Sequence, residues 1–96
     1  MGSQDFTQTA KGKTAEQAFT TARALAAYDH GHGGYTGSIA EKTDFVLVQP
    51  PKGLGPREYA EQLMQDDDER ISDKWGPAGC VALGDDKFLF FGWASS

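Results

Sequence analysis

Cys80-Val81-Ala82-Leu83-Gly84-Asp85-Asp86-Lys87-Phe88-Leu89-Phe90-Phe91-Gly92-Trp93 is the stretch whose reading decides the fold. Two apolar runs rich in branched and aromatic residues flank a turn of Gly and Asp, which predicts a β-hairpin. Working back from it, Gly76-Pro77-Ala78-Gly79 breaks the chain before the hairpin. Arg57 to about Ser72 predicts a helix with Pro56 near its first turn. Its inner stripe of Tyr59, Leu63, Met64, Ile71 and Trp75 is interrupted by Asp66-Asp67-Asp68-Glu69. Pro50-Pro51-Lys52-Gly53-Leu54-Gly55-Pro56 is a loop. Asp44-Phe45-Val46-Leu47-Val48-Gln49 holds four unbroken apolar residues and predicts a central strand covered on both faces.

The first half adds one strand and one helix. Asp5 to Ala10 alternates weakly and is rich in Thr, as a short edge strand would be. Lys11-Gly12-Lys13 makes a turn, and residues 1–4 are expected to be disordered. Thr14 and Gln17 form a capping box. Ala15, Ala18, Phe19, Ala22, Leu25 and Ala26 then recur at helical spacing, up to about Tyr28 or His30, with Gly31 as the residue that stops the helix. The expected fold class is therefore α+β, one domain over residues 1–96 in the order β-α-β-α-β-β. Both helices are expected on one face of a mixed sheet of about four strands. The other face would then show water the alternate aromatics of Phe88–Trp93, so a homodimer or a partner through that face is expected.

Size and charge agree with a single soluble domain. A chain of 96 residues and 10.4 kDa holds one modest core. No apolar run approaches the roughly 18 residues of a membrane span, and no signal peptide is visible. The net charge of −5 argues against general binding of nucleic acid or anionic membrane. Residues 1–56 balance five acids with five bases, so the whole −5 falls in residues 57–96. The acidic run reads as a solvated helix face or as a surface for a basic partner. A single cysteine, Cys80, fits a reducing, cytoplasmic compartment and reads as a small buried residue.

Gly31-His32-Gly33-Gly34-Tyr35-Thr36-Gly37-Ser38 is the segment that folding alone does not explain. Four glycines in eight residues carry an entropic cost when ordered. They would let successive amides converge on an anion, with Tyr35, Thr36 and Ser38 as hydroxyl donors and Tyr35 as a stacking platform. His30, His32, Lys42, Lys52 and Arg57 are the candidate charges around it. The segment lacks the Gly-Lys-Ser/Thr ending of a P-loop and follows a helix, where a dinucleotide fingerprint would precede one. Asp29-His30-Gly31-His32, with Glu41, has the spacing of a metal site but no third histidine. His32 beside Tyr35 or Ser38 would suit acid–base hydrolysis. The plain alternative is a long helix C-cap and turn, with His30 stabilised at the helix end. Lys52 also reads as solvated, and Arg57 as a partner of Glu61.

The block GHGGYTGSIAEK after an alanine-rich helix, with the ending KWGPAG…FLFFGWAS, resembles small uncharacterised proteins of bacteria and their phages. The resemblance implies a counter-defence factor acting in the host cytosol, either a sponge for nucleotide signals or an acidic protein that blocks an enzyme by contact. The leading expectation is a non-enzymatic module that binds a small anionic, nucleotide-like ligand at Gly31–Ser38, with no cofactor and no metal. An interaction inhibitor using the second helix and the aromatic sheet face is the first alternative. A small His32-dependent hydrolase or nuclease is the second.

Overall fold

The computed structural model describes residues 2–30 and 37–95, apart from the His30 side chain. The elements are β1 (Ser3–Lys11), α1 (Ala15–His30), a 3-10 turn (Ile39–Glu41), β2 (Phe45–Leu47), α2 (Pro56–Gln65), β3 (Ala78–Gly84) and β4 (Lys87–Ser95). The order β-α-β-α-β-β and the mixed four-stranded sheet are those expected. The sheet runs β1-β4-β3-β2, with β2 and β3 parallel and the other pairs antiparallel. The hairpin turn is made by Asp85 and Asp86, both left-handed with φ of 53° and 59°. That is the geometry of a two-residue type I′ turn. Leu83 is the extra residue of a bulge, since Ala82 faces Phe88 and Gly84 faces Lys87.

The two helices lie on opposite faces of the sheet, which corrects the expectation that they share one. On one face Ala18, Phe19, Ala22 and Ala26 of α1 pack with Phe6, Ala10, Cys80, Phe90 and Ala94. On the other, Ala60 and Leu63 of α2 pack with Val81, Leu89, Phe91 and Ile71. The physical reason is the strand order. The chain crosses from β1 to β2, edge to edge, and then turns back from β2 to β3. Two crossovers of the same hand that run in opposite directions put their helices on opposite faces. Alternate residues of β4 therefore enter two cores, with Phe90 and Phe91 both fully buried. The bare aromatic face that motivated a homodimer there does not exist.

Local departures have local causes. β1 is longer than expected, and Ser3 and Gln4 pair with Ser95 and Ala94, so they are not disordered. β2 is an edge strand, not a central one, although Phe45 and Val46 do contribute to opposite cores. α1 is capped as expected, with Gln17 N donating to Thr14 Oγ1 at 3.2 Å, but Gln17 Oε1 accepts from Lys13 N, one residue further back. Leu25 faces outward, 47% exposed. Gly79 is required, because a Cβ there would collide with the Phe91 ring that lies over it.

The second helix ends at Gln65, seven residues before the expected Ser72. Asp67 takes φ 51°, its N–H donates to Met64 O at 3.3 Å, and Asp68 N–H donates to Leu63 O at 3.0 Å. This pair of bonds is a Schellman cap. The acidic run is thus a helix stop and not a helix face. Asp68 then closes a bidentate pair with Arg70 at 2.9 and 3.0 Å.

Candidate functional site

The strands fix two ends of the sheet. Strands β1, β2 and β3 all point the same way, so one end collects their carboxyl termini and the start of both helices. Lys11, Lys13, Lys52, Arg57 and Lys87 stand there with Glu16, Glu58, Asp85 and Asp86. Five bases against four acids leave +1. The opposite end holds Asp5, Asp29, Glu41, Asp44, Asp66, Asp67, Asp68, Glu69 and Asp73 with Lys42, Arg70 and Lys74. Nine acids against three bases leave −6. Glu61 and Arg23 lie between and cancel. The acidity seen as a second-half property is therefore a property of one end.

The sequence-predicted site residues divide between these ends. Gly31, His32, Gly33, Gly34, Tyr35, Thr36 and the His30 side chain lie outside the described residues. Gly37 and Ser38, at the acidic end, are engaged in holding the fold. Gly37, at φ 67°, donates its N–H to Ser95 O at 2.8 Å. Ser38 caps the 3-10 turn by accepting from Ala40 N at 3.2 Å. Lys52 and Arg57 lie at the basic end. Lys87 and Ser95 mark the two ends of β4, eight residues apart, or about 26 Å at strand rise. One small ligand does not touch both groups.

Lys42 departs most from its expected role. A phosphate-neutralising lysine needs a free ammonium, but Lys42 is 1% exposed. Its Nζ donates to Gly76 O at 2.9 Å, Lys74 O at 3.1 Å and Asp73 O at 3.3 Å. An ammonium has three N–H donors, and three carbonyls take them. Burial pushes its pKa down, partly opposed by the Asp73 charge. Lys42 is a staple between the chain after the 3-10 turn and the segment that leads into β3.

The cations at the other end are arranged differently. Lys11 and Lys87 are directly opposite each other across the β1–β4 ladder. Like charges so placed destabilise a sheet. Arg57, from the first turn of α2, joins them in a cleft of ≈ 360 Å³ that also exposes Thr9, Thr21 and Leu25. None of the three cations makes an ion pair or a side-chain hydrogen bond among the described residues, and the expected Arg57–Glu61 pair is absent. Gly55 caps α2 without a side-chain bond, so the helix adds its positive end to the same region. Asp85 and Asp86 line a neighbouring cleft with Lys11 and Lys13, and Asp85 and Glu58 line another with Arg57 and Lys87. Sequence reasoning missed Lys11 and Lys87. Each flanks a turn, and only the strand register shows that they meet.

A second cleft lies on the α2 face at the other half of β1. Asp5, Thr7, Glu61, Gln65 and Trp93 line it. Its two carboxylates are also without an ion pair among the described residues, and Trp93 Nε1 is buried without an acceptor. No His/Cys/Asp/Glu group able to hold a metal forms among the described residues. Cys80 is fully buried, and burial pushes its thiol up to about 12. Among the described residues no helix is long and apolar enough to cross a membrane. No protein-family model, curated protein or solved structure matches this chain.

Proposed function

We propose that the chain is a binding module for a small anionic, nucleotide-like ligand, seated at the carboxyl end of the parallel strands. The observation that carries this reading is the meeting of Lys11, Lys87 and Arg57 in one cleft, where none of the three makes an ion pair among the described residues. A cross-strand lysine pair costs stability, and an anion between the two converts the repulsion into attraction. Thr9 and Thr21 supply hydroxyl donors to the same cleft, and the start of α2 supplies a positive helix end. Open α/β sheets bind ligands outside the carboxyl ends of their strands for the same reasons. A binding role is preferred to catalysis because Cys80 is buried as a thiol and the described cleft offers cations and hydroxyls but no general base. The phage counter-defence sponge implied by the sequence resemblance is one biological form of this activity.

Calorimetric titration with inorganic phosphate and with mono-, di- and cyclic nucleotides tests the proposal. Arg57→Ala and Lys87→Ala should each weaken binding by about tenfold, the loss of one charge-assisted contact. No heat with any of these probes at millimolar concentration overturns the reading. Binding that survives both substitutions but disappears with His32→Ala moves the ligand to the Gly31–Ser38 loop.

A further inference from the structure

β1 is an open edge of unusual length. It runs nine residues with a regular register against β4, contains no proline, and among the described residues leaves its other side unpaired in the sheet. Natural edges are usually blunted by shortness, proline or a bulge. The opposite edge, β2, is blunted in that way at three residues. β1 has none of these protections.

The strand is also complementary to itself. Set antiparallel to a second β1 about a two-fold axis at Gln8, it faces Asp5 with Lys11 of the other copy, Phe6 with Ala10, and Thr7 with Thr9. Each pair occurs twice, and Gln8 meets Gln8. Phe6 and Ala10 belong to the α1 face, while Asp5, Thr7, Thr9 and Lys11 belong to the α2 face. Opposite charges, apolar pairs and Thr–Thr pairs are the favourable cross-strand combinations. The slip that puts the axis at Thr7 keeps one Thr–Thr pair and loses the rest, leaving Asp5 against Thr9, Phe6 against Gln8 and Lys11 against Ser3.

The flanking helices repeat the match. On the α2 face the acidic cleft with Asp5 and Glu61 lies beside the first half of β1, and Lys11, Lys87 and Arg57 lie beside the second half, in a basic cleft that wraps the edge to Thr21 and Leu25 of α1. A two-fold axis between the halves sets the acidic cleft of each copy against the basic cleft of the other. Such an isologous interface satisfies both sets of unpaired charges at once. On the α1 face Leu25 borders the same edge, with Tyr28 one helical turn on. They are 47% and 88% exposed.

The geometry points to a second copy of this chain as the occupant of the β1 edge, giving a continuous eight-stranded sheet with Gln8 on the two-fold axis. This goes beyond the anion reading and does not rest on it. Because Lys11 serves in both, an anion in the basic cleft and the partner's Asp5 are competitors.

Sedimentation velocity of the intact chain at low ionic strength tests the pairing, and a charge swap tests the register. Lys11→Glu and Asp5→Lys should each weaken dimerisation by more than about tenfold, since each sets like charges opposite. Asp5→Lys with Lys11→Glu in one chain should restore it. Under mild oxidation Gln8→Cys should cross-link to a covalent dimer, while Thr7→Cys should not, because only residue 8 faces itself. Buried Cys80 is the same background in both. A chain that is monomeric at millimolar concentration overturns the proposal. So does a dimer that ignores the single charge reversals, or one that cross-links through Thr7→Cys in preference to Gln8→Cys.

Discussion

Lys42 and Lys87 are the same residue type in two opposite situations. Lys42 is enclosed, and each of its N–H groups meets a carbonyl of residues 73–76. Lys87 is exposed, faces another lysine across the ladder, and has no bonded partner among the described residues. The comparison extends to the two ends of the sheet. The acidic end is closed by internal bonds, namely the Lys42 staple, the Schellman cap at Asp67 and the Gly37–Ser95 contact. The basic end leaves its charges unspent. A charge that the fold consumes cannot also bind a ligand, so the available end is the better candidate.

The comparison breaks most severely at Lys42. Lys42→Ala removes a buried stem and leaves three carbonyls without their donor. The expected loss is about 2–4 kcal/mol in urea or thermal unfolding. Lys42→Met retains the stem and isolates the carbonyl contribution, so it should lose less. Lys87→Ala should change stability by less than about 0.5 kcal/mol, and toward stabilisation, because it relieves a like-charge pair. Equal losses at Lys42 and Lys87 would erase the distinction.

The pH dependence of stability sharpens it. Burial holds the folded-state pKa of Lys42 below its ordinary 10.5, with Asp73 acting in the opposite direction. Between the lowered value and 10.5 the unfolded chain holds a proton that the folded chain lacks. Stability from this group therefore rises with pH across that window. The slope should vanish in Lys42→Met and persist in Lys87→Ala. A wild-type slope identical to that of Lys42→Met would show that the ammonium is not penalised by burial.

Much of the fold was legible, for identifiable reasons. The alanine stripe of α1, its Thr14/Gln17 cap and the Asp85-Asp86 turn are local patterns, and local patterns survive into the structure. The end of α2 was not legible, because Asp67 occupies a left-handed position where glycine is the usual signal. The division of the helices between two faces was hidden as well. It depends on the order β1-β4-β3-β2, which long-range pairing sets. The candidate site suffered from the same limit. Arg57 was named from its place in the chain, but its meeting with Lys11 and Lys87 is a matter of register. Lys42 was misassigned because nothing in its neighbours announces the carbonyls of residues 73–76.

Effects smaller than the loss at Lys42 concern the strained residue at each end. Asp67, at the acidic end, closes α2 in the left-handed region and puts a carboxylate at a helix C-terminus, where the dipole disfavours it. Asp86, at the basic end, is left-handed in the hairpin turn. Aspartate tolerates this conformation better than most residues, but glycine adopts it without steric cost. Asp67→Gly and Asp86→Gly should each stabilise by about 0.5–1 kcal/mol, a rise of several degrees in Tm for a domain of this size. The two sites lie at opposite ends of the sheet and share no partner, so the double variant should gain the sum. The gains should nevertheless differ in their response to salt. Removing Asp67 takes one charge from a crowded acidic run, and that relief is screened as ionic strength rises. Asp86 shares its cleft with Lys11 and Lys13, so its removal forfeits an attraction at low salt. Asp67→Gly should therefore be the more stabilising of the two at low ionic strength, with the difference shrinking as salt is added. The reverse order would mean that Asp85, left alone in the turn, supplies all the balance that Lys11 and Lys13 need.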